Sequence, residues 1–273
     1  MSRSGPSSAA LRALPLYGAE LVGTALLVAV GCSLAILGAG AGSPALALLR
    51  GAATRRAVTG FCFGSVGALL ALSPVGKLSG AHLNPVVTLT FWLEDRMAGS
   101  VALGYALAQL AGGVLGALPL RLWGALGASA AFGATAPGPE GPALAALGEA
   151  VATFALLALL LLFLGHPRLR GLTPFIFPPL YAFLVWWEAP LSGTSTNPAR
   201  SLGPGLVAGE LRSFWVYLLG PLAGTLAVAA LRRGWPLAGR LEVRVAKVFH
   251  FTHDAYGIFT EKSSPSHRAA SGQ

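Results

Sequence analysis

Charge is what this chain has least of. Charged side chains make up 11% of its 273 residues, against about 25% in an ordinary soluble domain. That is too little to clothe a soluble globule of this size. Cysteine is nearly absent, with only Cys32 and Cys62, so neither a disulfide scaffold nor any dependence on redox compartment is expected. Disorder is excluded from the other direction, because 54% of the residues are hydrophobic and such a chain buries apolar surface readily. Acidic residues are the scarcer charge: ten Asp plus Glu stand against 19 Lys plus Arg, a net charge of +9. No basic stripe with interleaved aromatics accompanies that excess, which removes nucleic acid as a partner. A polytopic membrane protein remains.

A bilayer core of about 30 Å takes about 20 apolar residues as helix. Leu21–Leu49 carries no charge, and Ala57–Gly76, Met97–Leu120, Gly141–Leu164, Gly171–Trp187 and Ser213–Leu231 complete six candidate spans, the fourth interrupted only by Glu149. The N-terminal apolar stretch is long and lacks a small-residue cleavage pattern, so it reads as a span and not a cleavable signal. Six spans put both termini on one side. Sorted by loop, 13 basic residues fall on the side of the termini and six on the other, which predicts cytoplasmic termini. The predicted divisions are an N-terminal segment 1–13, a channel-like body 14–234 with halves 14–124 and 142–234, and a polar, basic tail 235–273 meeting water or lipid headgroups. Val86–Leu93 and Ala199–Ala208 are apolar but too short to cross. Each follows an Asn-Pro pair, as a re-entrant half-helix would, and such segments exist at membrane depth only where protein or a cavity surrounds them.

The two halves repeat each other. Leu78-Ser79-Gly80, three residues, then Asn84-Pro85 recurs as Leu191-Ser192-Gly193, three residues, then Asn197-Pro198. Upstream, Glu20 with Thr24 matches Glu149 with Thr153; downstream, YALAQLAG from Tyr105 matches YLLGPLAG from Tyr217. Three landmarks in one order are a repeat. With three spans per half, the second half enters from the opposite face, giving an inverted repeat whose two half-helices meet near the midplane.

SGAHLNPVV (79–87) and SGTSTNPARSLGP (192–204), set among six spans, resemble the aquaporin or major intrinsic protein family. The resemblance runs from about Gly18 to Leu231 and includes Glu20, Glu149 and Gln109. It implies an all-α membrane fold of six transmembrane helices plus two re-entrant half-helices, assembled as a homotetramer in the plasma membrane. It implies a passive channel for water, with small neutral solutes as further cargo, excluding ions and protons, and without a cofactor or metal.

Pro85 and Pro198 suit the first turn of a helix, where a missing N–H costs nothing. Asn84 and Asn197 are N-caps whose side-chain oxygens take a free backbone N–H, leaving their amide N–H groups to point into a pore. Two opposed N-termini each present roughly half a positive charge, and half-helix dipoles with an Arg are how aquaporin-type pores exclude protons and cations. The stretches Gly80–Leu83 and Gly193–Thr196 are expected to be non-helical, with carbonyls facing the lumen and glycines permitting the turn. By the resemblance, Glu20, Glu149 and His82 hold these loops, and Arg200 faces the solute as a multiple donor. Val86 departs from the family's usual Ala, whereas Ala199 keeps it.

The resemblance also implies a four-residue constriction. Its loop positions are Thr194 and Arg200, and its fifth-span position, twelve residues before Asn197, is Val185, where water-selective members usually carry His. Twenty residues before Asn84 stands Gly64, beside the aromatic Phe63; one extra residue near Pro74 favours Phe63. Ser201, where glycerol facilitators carry Asp, favours the water branch, while Val185 leaves glycerol, urea, ammonia and peroxide open. The alternatives are such a solute facilitator, or a non-conducting structural protein of the same fold. An enzyme is disfavoured: His250 and His253 have no nearby Cys or carboxylate partner beyond Asp254, Gly38–Gly42 lacks a phosphate-loop Lys, and no nucleophile–base pair stands out.

Overall fold

The computed structural model describes residues 13–234, 241–243 and 246–249. Among them every regular element is a helix. We number the helices α1 (Leu14–Ala39), α2 (Pro44–Leu48), α3 (Ala52–Leu72), α4 (Pro74–Ser79), α5 (Pro85–Leu93), α6 (Gly99–Ala117), α7 (Gly124–Ser129), α8 (Pro142–Gly165), α9 (Thr173–Ser192), α10 (Pro198–Ala208) and α11 (Val216–Gly234). Six are long (α1, α3, α6, α8, α9 and α11), and α5 and α10 are the two half-helices. Among the described residues four helices are long and apolar enough to cross a membrane on their own composition: α1, α3, α6 with its continuation to Ser129, and α8. The other two match the span length, with 20 residues in α9 and 19 in α11. Three internal prolines and Glu188 dilute α9, and Arg232 and Arg233 dilute α11.

The first span begins earlier than expected. The uncharged run Leu21–Leu49 overshoots α1, which starts at Leu14, contains Glu20 and stops at Ala39. Beyond it the chain turns through Gly40–Ser43 into the short α2, where the Ser43 hydroxyl accepts from the Ala45 N–H at 3.2 Å. An apolar connector carries no charge to mark it, so charge alone misplaces this boundary.

The packing repeats as the sequence does. The first and third long helices of each half lie together, α1 on α6 and α8 on α11, while the second long helices, α3 and α9, pack on each other across the pseudo-two-fold axis. Small residues allow these approaches. A Cβ on Gly112 would stand 2.4 Å from the Leu21 carbonyl oxygen, and one on Gly116 2.1 Å from that of Ala25; Gly224 meets the Ala150 carbonyl at 2.4 Å in the other half. Backbone contact of this kind suits helices in lipid, where van der Waals packing replaces a hydrophobic drive. Gly113 and Gly203 bring α10 equally close to α6. Outward faces carry exposed Leu103, Leu107, Leu219 and Leu226, as contact with lipid requires.

Gly116→Val must push α1 and α6 apart, and overpacking of this kind costs about 1–3 kcal/mol. A lower thermal midpoint in detergent is expected. Gly18→Ala, on the partner helix α1 with nothing within 4 Å of its Cβ, should be neutral or slightly stabilising. Equal midpoints for the two variants would contradict the close-contact account.

Candidate functional site

The two loops between a long helix and a half-helix have one backbone shape. Positive φ recurs at Gly80 (92°), Ala81 (55°) and Leu83 (51°), and at Gly193 (84°), Thr194 (54°) and Thr196 (52°). Four of the six are not glycine, so the surroundings must over-determine the conformation. Those surroundings are two buried carboxylates. Glu20, on α1, accepts from Ser79 Oγ at 2.6 Å and the His82 N–H at 3.0 Å through Oε1, and from the Leu83 N–H and Gln109 Nε2 at 2.7 Å each through Oε2. Glu149, on α8, accepts from Ser192 Oγ and the Ser195 N–H at 2.6 Å each and from the Thr196 N–H at 2.7 Å. Tyr105 and Tyr217 each donate to the carbonyl of the loop serine, Ser79 and Ser192, at 2.7 Å. The charge on each Glu is buried, yet it satisfies loop N–H groups that neither helix nor lipid could.

These loops deliver the two Asn-Pro pairs to one point. Asn84 Oδ1 accepts the Val86 N–H at 3.0 Å, and Asn197 Oδ1 the Ala199 and Arg200 N–H groups at 3.0 and 3.4 Å. Both are N-caps, with Pro85 and Pro198 opening α5 and α10. The amide nitrogens cross over: Asn84 Nδ2 donates to the Thr196 carbonyl at 2.8 Å and Asn197 Nδ2 to the Leu83 carbonyl at 2.9 Å. Each amide therefore spends one N–H on the opposite loop and keeps the other. Not every loop carbonyl faces the lumen as anticipated. Those of Leu83 and Thr196 serve this cross-strap, and that of Gly80 accepts from the Val248 N–H at 2.8 Å. Val86 is buried in the half-helix without disturbing its start.

A cavity of about 60 Å³ touches both asparagines and is lined further by Phe63, Gly64, His82, Val87, Tyr181 and Val248. At about 15 Å³ per water it holds roughly four. Arg200 lies beside this wall, its Nη1 donating to the Gly133 carbonyl at 2.8 Å and its guanidinium 5.7 Å from the ring centre of the cavity-lining Phe63. Phe63 in turn faces Tyr181 at 5.9 Å. Gly64 packs on the backbone of Phe177 and Pro178, where a Cβ would fall within 3 Å. Thr194 is buried in the loop, with no hydrogen bond to its hydroxyl among the described residues. Val185 does not line this cavity. It borders a separate one farther out with Arg55, Arg56 and Thr59.

His82 bridges Thr88 Oγ1 at 3.0 Å and the Ala246 carbonyl at 2.9 Å, stacked on Phe91. Sequence reasoning missed three residues here. Tyr181 sits one helical turn before Val185 and donates to, or accepts from, Thr196 Oγ1 at 2.9 Å; its place on the pore face follows from that turn, had the helix phase been read. Glu188, a further buried acid, lies against Gly148. Val248 reaches the cavity from the tail, which carried no motif. His250 and His253 lie outside the described residues, as does most of segment 1–13.

Comparison with known proteins agrees with this geometry. Residues 8–232 match the Major intrinsic protein family. The chain belongs to that family. Among relatives, it is 34% identical over 212 residues to the "Probable aquaporin NIP4-2" of Arabidopsis thaliana, covering 77% of this chain and 70% of that one. It is 43% identical over 159 residues to the "Probable aquaporin TIP4-2" of Oryza sativa subsp. japonica, covering 56% and 60%. In fold it resembles the aquaglyceroporin of Plasmodium falciparum, with a TM-score of 0.64 and 19% identity over 83% of this chain and 98% of that one. Six spans and two re-entrant half-helices in an inverted repeat are the fold of this family.

Removing a loop-holding carboxylate should be costly. Glu149→Ala leaves the Ser192, Ser195 and Thr196 donors without their acceptor, at about 1–3 kcal/mol each. We expect a large drop in the thermal midpoint in detergent, with Glu149→Gln, which keeps one acceptor oxygen, in between. An unchanged midpoint for Glu149→Ala would show that the loop stands without it.

Proposed function

We propose that the chain is a passive channel for water, admitting neutral solutes of similar size and excluding ions and protons. The observation that carries this is the crossed pair of asparagines capping two opposed half-helices beside a cavity with room for only a few waters. Each Asn retains an N–H for a passing oxygen, and the two helix N-termini make the centre positive. Arg200 repels cations and offers donors beside the cavity. The apolar walls give a water little else to bind, so it moves from donor to donor.

In this reading the narrow region is set by Phe63, Tyr181, Thr194 and Arg200, with Val185 on its outer side. Asn84, Pro85 and Val86 with Asn197, Pro198 and Ala199 form the central pair, and Glu20, Glu149 and His82 support the loops. The functional body is 14–234 with halves 14–124 and 142–234. The ends 1–13 and 235–273 lie in the cytoplasm, as the excess of basic residues on their side supports. A homotetramer in the plasma membrane fits the exposed apolar faces. Transport in this family needs neither chemical turnover nor a cofactor, and none is assigned here.

Proteoliposomes holding the chain should shrink faster than empty vesicles after an osmotic step, and under a matched glycerol gradient they should shrink as fast and then re-swell no faster than empty vesicles. Rates equal to empty vesicles would reject the channel. Tyr181→Val removes an aromatic wall and should raise urea and glycerol entry with water flux retained. Glycerol entry equal to that of the unaltered chain would move the size limit away from Tyr181.

A further inference from the structure

A residue of the tail, Val248, forms part of the wall of the central cavity. We infer that the tail segment around Ala246–Val248 is a built-in plug that closes the pore. The inference rests on the channel reading above.

Four observations place the segment. Val248 lines the same cavity as Asn84 and Asn197, whereas Arg200 is not on its wall and meets it through Phe63, 5.7 Å from that ring centre. Its backbone N–H donates to the Gly80 carbonyl at 2.8 Å, and the Ala246 carbonyl bonds His82 Nε2 at 2.9 Å. Val243, Ala246, Lys247 and Val248 are all buried, the last at 3% exposure, and the three apolar ones belong to one cluster with Val87, Phe91 and Leu160. The segment is also tethered. Arg232, in the last turn of α11, makes a two-pronged bond to Glu94 at 2.7 and 2.9 Å, and its Nη2 also donates to the Leu241 carbonyl at 2.9 Å.

The inverted repeat sharpens the point. Opposite Gly80 in the second half is Gly193, and a Cβ there would meet Thr135, as one on Gly80 would meet Ala246 and Lys247. Thr135 bonds Ser201 Oγ at 2.7 Å, and Ser201 is the repeat counterpart of Thr88. The connector at 133–135 thus braces the outer loop, and the tail braces the inner one. They differ in position relative to the lumen. The connector supports Arg200 from the side through the Gly133 carbonyl, whereas Val248 lies on the cavity itself. The described tail residues follow α11, the last span, in the chain, whereas the connector joins two spans.

A pore open in about one copy in ten gains about tenfold in mean permeability when the closing element is released. The test uses the full chain and two released forms, Val248→Asp, which places a charge in the apolar seat, and a chain ended after residue 240. Seating is read separately, by mass-spectrometric detection of trypsin cleavage at the buried Lys247. We expect slow cleavage at Lys247 in the unaltered chain, fast cleavage in Val248→Asp, and water permeability in both released forms about tenfold above the unaltered chain. Fast cleavage of the unaltered chain at Lys247 would overturn the seating. Release with permeability unmoved, and above empty vesicles throughout, would overturn the plug and leave the channel standing. Empty-vesicle rates in all three forms would overturn both.

Discussion

Everything at the centre of this molecule depends on two carboxylates. A chain that interrupts its helices at membrane depth must find partners for the freed N–H groups, because lipid offers none. Glu20 and Glu149 supply them, each gathering a serine hydroxyl and successive loop amides. That grip holds four non-glycine residues at positive φ. It brings Asn84 and Asn197 close enough to exchange hydrogen bonds with each other's loops. The half-helix dipoles then point at one place, and the lumen follows from that convergence.

The repeat supplies the frame and its departures supply the direction. Val87 and Arg200 occupy equivalent positions, three residues after each Asn, so only the second half carries a guanidinium there. His82 and Ser195 are equivalent too. The histidine reaches the tail at Ala246, while the serine joins a hydroxyl chain through Ser201 to Thr135. Gln109 adds a donor to Glu20 that Pro221, its counterpart, cannot give to Glu149. A symmetric scaffold thus carries asymmetric surroundings, with Arg200 in the second loop region and the tail's Val248 at the first.

Much of this was legible from residue types. Carboxylates and arginine in apolar runs are expensive enough to be conspicuous, and Asn-Pro before an apolar stretch announces a capped helix start. The half-helices α5 and α10 accordingly begin within a residue of expectation. The features hidden in the sequence are those without an energetic signature of their own. The end of α1 was blurred because Gly40–Leu49 is apolar without being helical throughout. Tyr181 and Val185 differ by one turn of a proline-rich helix, and which of them reaches the central cavity depends on how α9 packs against α3. The carbonyls of Leu83 and Thr196 turn to the opposite asparagines, a contact that spans 112 to 114 residues and that no local pattern encodes. The tail's seat at Gly80 is of the same kind.

The central claim is that opposed half-helix N-termini, held by the two glutamates, pass water while breaking proton conduction. Water and proton fluxes measured in the same vesicles test it most directly, with osmotic shrinkage and an internal pH dye read together. The account predicts water flux well above that of empty vesicles with proton flux at their level. Proton flux that rises in step with water flux would contradict it.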